Sequence, residues 1–149
     1  MVVFLDPVSK IVAKLRANSD VTARVTSSKI HASYPHIPAS GTPNPDKPGI
    51  YVHQAISDLK PVYGSSNLTE PPRIGSADYQ IDIFSEIGVE DAAEIGRLAY
   101  NAIGDNVQDG GLFSIYVSDL GSSFDTGFNC YHAIFILKAR YREQVSGVV

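Results

Sequence analysis

At 149 residues with an apolar fraction of 44%, the chain is long enough to bury a proper core, and one domain over 1–149 is expected. A formal net charge of −4 excludes a general electrostatic attraction to nucleic acid or to an anionic membrane surface. No apolar run approaches the ~18 residues of a transmembrane helix, and the opening MVVFLDPVSK lacks the basic n-region and cleavage pattern of a signal peptide.

Asp6-Pro7 predicts a helix start. Asp6 can cap it, and Pro7 suits the first helical position because its missing N–H would be unpaired there anyway. Val8, Ile11, Val12 and Leu15 then form one helical stripe. Asn18-Ser19-Asp20 ends this helix and can cap a short second turn running to Val25. Five prolines fall between Tyr34 and Pro48, which bars helix and central strand; the segment is either an arm laid on a neighbour or a disordered loop.

Gly49–Ile56 alternates in the manner of a strand, with Ile50 and Val52 on one face and Tyr51 and His53 on the other. Ser57–Ser76 is polar and turn-rich, fitting a long hairpin tip or an inserted flap. Ala77–Phe84 is a second strand, with Tyr79, Ile81 and Ile83 opposite Gln80 and Asp82. Val89–Ile103 is the principal helix. Ala92, Ile95, Ala99 and Ala102/Ile103 make its buried stripe, and Glu90, Asp91 and Glu94 crowd its first turns, where the helix dipole favours negative charge. Gly104 stops it. Leu112–Val117 is a third strand, Asp119–Asn129 a turn-rich loop, Cys130–Arg142 a long fourth strand, and Gln144–Val149 a tail.

The order is αββαββ. It predicts an α+β fold: a four-stranded, largely antiparallel sheet with two helices packed on one face and long loops. Ile11, Leu15, Ile81, Ile83, Ile95, Ala99, Ile134 and Ile136 are the expected core.

Few side chains suggest chemistry. His31 and His36 flank the proline segment without metal-ligand partners at helical or knuckle spacing. His53 and His132 lie in strand patterns and can be neighbours in the sheet. The serines show no nucleophile elbow, and the Gly110-Gly111 and Gly121-Ser122-Ser123 runs lack the lysine and helix of a phosphate loop. Asp91 and Glu94 are paired carboxylates, but at a helix start capping explains them better than acid–base work. Cys130 is a lone cysteine in an apolar strand pattern, which reads as a buried inert thiol. No catalytic set, cofactor site or metal site is expected.

The charge is segregated. Ten acidic residues and a single base, Arg97, lie between Asp78 and Asp125; Lys10, Lys14, Arg16, Arg24 and Lys29 precede this stretch, and Lys138, Arg140 and Arg142 follow it. Solvated faces explain this, or one end of the folded molecule is acidic and another basic. Lys138, Arg140 and Arg142 alternate with Ala139 and Tyr141, a weak allowance for nucleic-acid contact.

Together the helix DPVSKIVAKLRA, the proline-rich loop, the strand PGIYVHQAI, the unit ADYQIDIFSEIGVEDAAEIGRLAYNAI and the strand YHAIFILKARYRE resemble the tail-terminator or tail-completion (head–tail joining) proteins of long-tailed phages. The resemblance runs from Pro7 to Arg142. The chain departs from the pattern in its long proline loop and its long Ser57–Ser76 segment. The resemblance implies a structural virion protein, not an enzyme, at the head-proximal end of the tail. It implies a homo-oligomeric ring, usually a hexamer, that caps the tail tube protein and joins it to the head connector or stopper protein, assembled in the host cytoplasm. DNA would pass through without specific binding, and no membrane would be involved. On that basis the Tyr34–Pro48, Ser57–Ser76 and Asp119–Asn129 segments are expected to carry assembly contacts, with Tyr63 and Phe124 as aromatic anchors. Lys138, Arg140 and Arg142 would form part of the assembly interface, and Glu90, Asp91 and Glu94 an acidic lumen or ring face. The alternatives are another head–tail connector or neck protein, and a small-ligand-binding regulatory α+β domain.

Overall fold

The computed structural model describes residues 2–3, 7–35, 41, 44–61, 73–103, 108–109, 112–142 and 144–145. In chain order the elements are β1 (Val2–Val3), α1 (Pro7–Ala17), α2 (Ser19–Thr22), a 3₁₀ turn (Ser27–Lys29), β2 (Ile30–His31), β3 (Gly49–Pro61), β4 (Arg73–Ser85), α3 (Val89–Ile103), β5 (Gln108–Asp109), β6 (Leu112–Asp125), β7 (Cys130–Arg142) and β8 (Gln144–Val145).

The main sheet has the order β2-β3-β4-β7-β6-β5. Its body is two long antiparallel hairpins, β3–β4 and β6–β7, joined side by side through the antiparallel pair β4–β7. The two-residue strands β2 and β5 flank this body, β2 being the one parallel member. The α+β architecture, antiparallel sheet and αββαββ order agree with the sequence pattern. The strands are longer than the pattern indicated. β3 and β4 run into Ser57–Ser76 from both sides, and β6 extends through most of Asp119–Asn129, leaving only residues 126–129 as a turn. Register shifts between Ser114 and Tyr116 and between Asp119 and Gly121 let β6 stay paired through a Gly- and Ser-rich sequence. Gln144 and Val145, expected in a tail, pair with Val3 and Val2.

Helix α1 buries Ile11, Val12 and Leu15 of its expected stripe, and Val8, the stripe's first member, is partly buried against the same core. Asn18 caps α2 through its Oδ1, which accepts from the Asp20 and Val21 amides at 3.0 and 3.1 Å. Arg16 then bonds the carbonyls of Ser27 (3.1 Å) and Ile30 (2.5 Å), fastening the helical layer to the β2 edge. Helix α3 buries Ala92, Ile95, Ala99 and Ile103 at spacings of three and four, as its pattern indicated. Gly96 lets it lie close to the sheet: a Cβ there would stand 3.2 Å from Ile83 Cδ1.

The core lies between these helices and one sheet face, formed by Ile50, Val52, Tyr79, Ile81, Ile83, Ala133, Phe135 and Leu137. Here two expected core residues are corrected. Ile134 and Ile136 register opposite Asp82 and Gln80, on the other face of the sheet, and are only partly buried. Each position of the run Ala133–Leu137 is apolar, so alternation alone does not say which face is inward. Pairing with Ile81 selects Phe135.

Candidate functional site

The second sheet face should be solvated in a two-layer fold, yet near one end it is closed over. Tyr51, Phe84 and Cys130 form a small buried cluster there, with Phe128 packed on it. His31 stacks on Tyr51 at 4.7 Å between ring centroids and bonds Asp46 Oδ2 through Nε2 at 2.6 Å. The Tyr51 hydroxyl accepts from the Asp46 amide at 2.9 Å. Aromatic rings thus hold part of the proline-rich segment against the sheet. Tyr34 adds an edge contact with His53 at 5.0 Å and another with Phe128 at 6.2 Å.

At the centre of this cover is a polar chain. Asp82 on β4 is fully buried. Its Oδ2 takes His53 Nε2 from β3 at 2.7 Å, and its Oδ1 takes His132 Nε2 from β7 at 2.7 Å. Gln80 Nε2 donates to the same carboxylate at 3.0 and 3.3 Å. His132 Nδ1 in turn faces Asp125 Oδ2 on β6 at 3.1 Å. Asp125 also caps the β6–β7 turn, since its Oδ1 accepts from the amides of Gly127 (2.8 Å) and Phe128 (3.1 Å). Four neighbouring strands therefore each contribute one member of a His53–Asp82–His132–Asp125 line.

The electrostatics follow from this geometry. Burial works to raise the Asp82 carboxyl, but hydrogen bonds from His132, Gln80 and His53, with the His132 charge, hold it below the usual carboxylate range. Asp125 is likewise held low: burial opposes, and His132 with the Phe128 and Gly127 amides prevails. Burial works to lower His132, yet hydrogen bonds to Asp82 and Asp125 and their charges raise it above an ordinary histidine. Burial, with the charges of Asp82 and Asp125, pushes the Tyr34 phenol up.

The sequence places His53 and His132 as possible sheet neighbours. The structure separates them by one strand and joins them through Asp82, which in the sequence is one of two polar residues opposite Tyr79, Ile81 and Ile83. The signal was present as the alternation of Gln80 and Asp82 against Tyr79, Ile81 and Ile83. Recognising its role requires the β4–β7 register, in which Phe84 meets His132 and Asp82 meets Ile134. Among the described residues no cluster of histidine, cysteine and carboxylate side chains is arranged to hold a metal ion. Cys130 is buried, and burial pushes its thiol up, away from the reactive thiolate.

The other expected site residues are dispersed. Phe124 is 49% exposed beside the β6–β7 turn, edge-on to Tyr131 at 5.3 Å. Tyr63 and His36 lie outside the described residues, as do Asp6 and Gly104. On β7, Lys138, Arg140 and Arg142 register opposite Asp78, Ser76 and Ile74, at the end of the sheet away from the β6–β7 turn. At the start of α3, Glu90 is exposed, and Glu94 is paired with Arg97 at 2.6 and 2.9 Å. Asp91 turns inward: its carboxylate pairs with Arg24 and accepts from the Ser85 hydroxyl at 2.5 Å. It ties the turn after α2, the end of β4 and the start of α3 together. Beside α3 an open groove of about 360 Å³ separates Ala93, Gly96 and Tyr100 from Gly121 and Ser122 of β6. No described helix is long and apolar enough to cross a membrane.

No family model matches the chain, and no curated protein matches it. Among solved structures it is similar to a chain from the virion of a native gene transfer agent (GTA) particle, with a TM-score of 0.53 and 17% sequence identity. The match covers 89% of this chain and 91% of that one. At that identity the likeness is one of fold, and it spans nearly the whole of both chains.

Proposed function

We propose that the chain is a structural protein of a phage-like virion, without turnover, that completes the tail: a ring, expected to be hexameric, seated between the tail tube and the head connector. The observation that carries this reading is the fold shared nearly end to end with a virion protein, taken with the resemblance of the helix, strand and strand–helix segments to tail-completion proteins.

The charge layout supports a two-faced ring. The acidic start of α3, with Glu86, Glu90 and Glu94, follows directly on Ser85, which registers with Tyr131 at one end of β7. Arg142 stands at the other end of β7, roughly 35 Å away at the ordinary rise of a strand, with Arg140 and Lys138 before it. A terminator needs one surface that matches the growing end of a tube and a different surface opposite it, and head-to-tail contacts between copies are directional in the same way. Glu90 and Glu94 would line the lumen or one ring face, with Asp91 as their internal anchor. Lys138, Arg140, Arg142, Tyr63 and Phe124 would meet neighbours. An acidic lumen repels DNA and lets it slide.

Removing the gene and imaging the particles tests the reading. Tails of abnormal length, or tails that fail to join heads, are expected. Normal-length tails on DNA-filled heads would overturn the terminator role and favour another connector or neck position. The groove beside α3 favours the ligand-domain alternative. A monomer or dimer that melts at higher temperature with a small ligand, and never assembles on tail tubes, would establish that alternative instead.

A further inference from the structure

We propose that His132 is a buried imidazolium that latches the β6–β7 turn onto the centre of the sheet, and that loss of its proton frees this turn and the Tyr34 segment resting on it. The proposal is independent of the tail-completion reading. His132 is 7% exposed, and each of its ring nitrogens faces a carboxylate oxygen, Asp82 Oδ1 at 2.7 Å and Asp125 Oδ2 at 3.1 Å. An ionised carboxylate only accepts, and a neutral imidazole has one N–H and one lone pair. A neutral ring would aim its lone pair at one of these oxygens. The charged ring donates to both. The Phe84 ring stacked on it at 4.3 Å and 25° offers a π-face to the cation, and Phe128 approaches from the side at 5.8 Å.

Of the groups around His132, the two carboxylates favour its charge. Asp82 comes from β4 and Asp125 from β6. His53 from β3 reaches the site only through Asp82 and needs a single N–H to do so. Tyr34 comes from the segment before β3 and is a neutral phenol at ordinary pH. The thiol of Cys130, on β7 itself, is neutral for the reason given above. Two carboxylates thus stand against one imidazolium at His132.

The two contacts differ in what survives deprotonation. Asp82 is sealed in and keeps His53 and Gln80 as donors. Asp125, the last residue of β6, has a 30% exposed side chain, and His132 links that side chain to the centre of the sheet. Its other oxygen holds the Gly127 and Phe128 amides, so the turn moves with it. When the proton leaves, the Asp125 contact is the one that opens. Phe128 withdraws from Phe84, and Tyr34 loses its edge contact with Phe128. Because the two carboxylates raise the affinity of His132 for its proton, the latch is closed at the ordinary histidine value of about 6.5 and stays closed as pH falls until the carboxylates themselves take up protons. It opens as pH rises through the higher folded-state value.

Side-chain nitrogen NMR of the full chain tests this directly. At pH 6.5 the His132 ring should carry protons on both Nδ1 and Nε2, and its titration midpoint should lie above about 6.5. Asp125→Asn, which keeps an oxygen for the turn amides, should lower that midpoint, because one of the two carboxylates that raise it is gone. Protection of the Gly127 and Phe128 amides, measured against the unstructured exchange rate at the same pH, should fall above the midpoint in the unaltered chain. A neutral His132 tautomer at pH 6.5, a midpoint at or below 6.5, or exchange at the turn that ignores the midpoint would each overturn the latch. The first two results come from the unaltered protein and stand whether or not the variant folds.

Discussion

The assignment of sheet faces makes a quantitative contrast between two isoleucines. Ile95 of α3 is 1% exposed and sits in the main core, whereas Ile134 lies on the opposite sheet face and is partly exposed. Ile95→Ala removes three carbons from water-free surroundings, at about 0.8 kcal/mol each, or roughly 2.4 kcal/mol in all. If about 50 Å³ of the hole fails to collapse, a further 1.2 kcal/mol or so is lost. The sum of about 3.5 kcal/mol lowers the melting temperature by roughly 7–14 °C in a chain of this size. Ile134→Ala gives up a side chain that is already partly hydrated, so about 1 kcal/mol is expected. Urea unfolding followed by far-UV circular dichroism measures both losses from the shift in midpoint at constant slope. Equal losses, or the larger loss at Ile134, would mean that the β7 face is reversed and the packing of α3 on β4 and β7 is wrong.

Gly49→Ala should destabilise by about 1–3 kcal/mol, because the added Cβ would press on the Asp46 carbonyl oxygen and stand 2.9 Å from Asp46 Cβ. Weakened His31–Asp46 contact, seen as a shifted His31 resonance, should accompany the loss. Asp91→Ala removes the partner of Arg24 and Ser85; since Arg24 is well exposed, about 1 kcal/mol is expected, read from a thermal melt. Asp82 and Asp125 are held low in the folded chain, so their contribution is present above the unfolded carboxylate value and disappears as pH falls through the folded one. Acid unfolding should therefore bind more than one proton, and Asp82→Asn should flatten the acid limb measured by circular dichroism. Cys130, buried with its thiol raised, should react with a thiol reagent no faster than the chain unfolds, which a comparison of labelling rates with and without urea checks.

The elements of this fold are legible in sequence where one face is wet and the other dry. The stripe of α3 is of this kind, and the alternation of Tyr79, Ile81 and Ile83 with Gln80 and Asp82 marks the core face in the same way although Asp82 is itself buried; both are observed. Legibility fails for two physical reasons. An uninterrupted apolar run such as Ala133–Leu137 has no wet face to mark its register. A Gly- and Ser-rich stretch such as 118–123 reads as a loop, although a strand partner supplies its backbone with hydrogen bonds. The candidate site is hidden more deeply, since its members come from four strands and none is within five residues of the next. His53, Asp82, Asp125 and His132 are individually unremarkable polar positions, and only the pairing of β4 with β7 makes them a chain.

That chain also bears on how the two hairpins find their alignment. Each hairpin is closed by local sequence, but the β4–β7 seam joins segments separated by α3 and by β6. A two-residue slip along this seam keeps every side chain on its own face, because the strand repeat is two. Apolar burial alone therefore discriminates weakly between the native alignment and its slipped neighbours. A buried carboxylate matched to an imidazole across the seam does discriminate: a slip that carries His132 away from Asp82 leaves the carboxylate with only its donors from the β3–β4 hairpin, Gln80 and His53, and takes from the buried His132 ring its acceptor. The polar line inside an otherwise apolar sheet thus acts as a ruler, setting which residue of one hairpin stands beside which residue of the other.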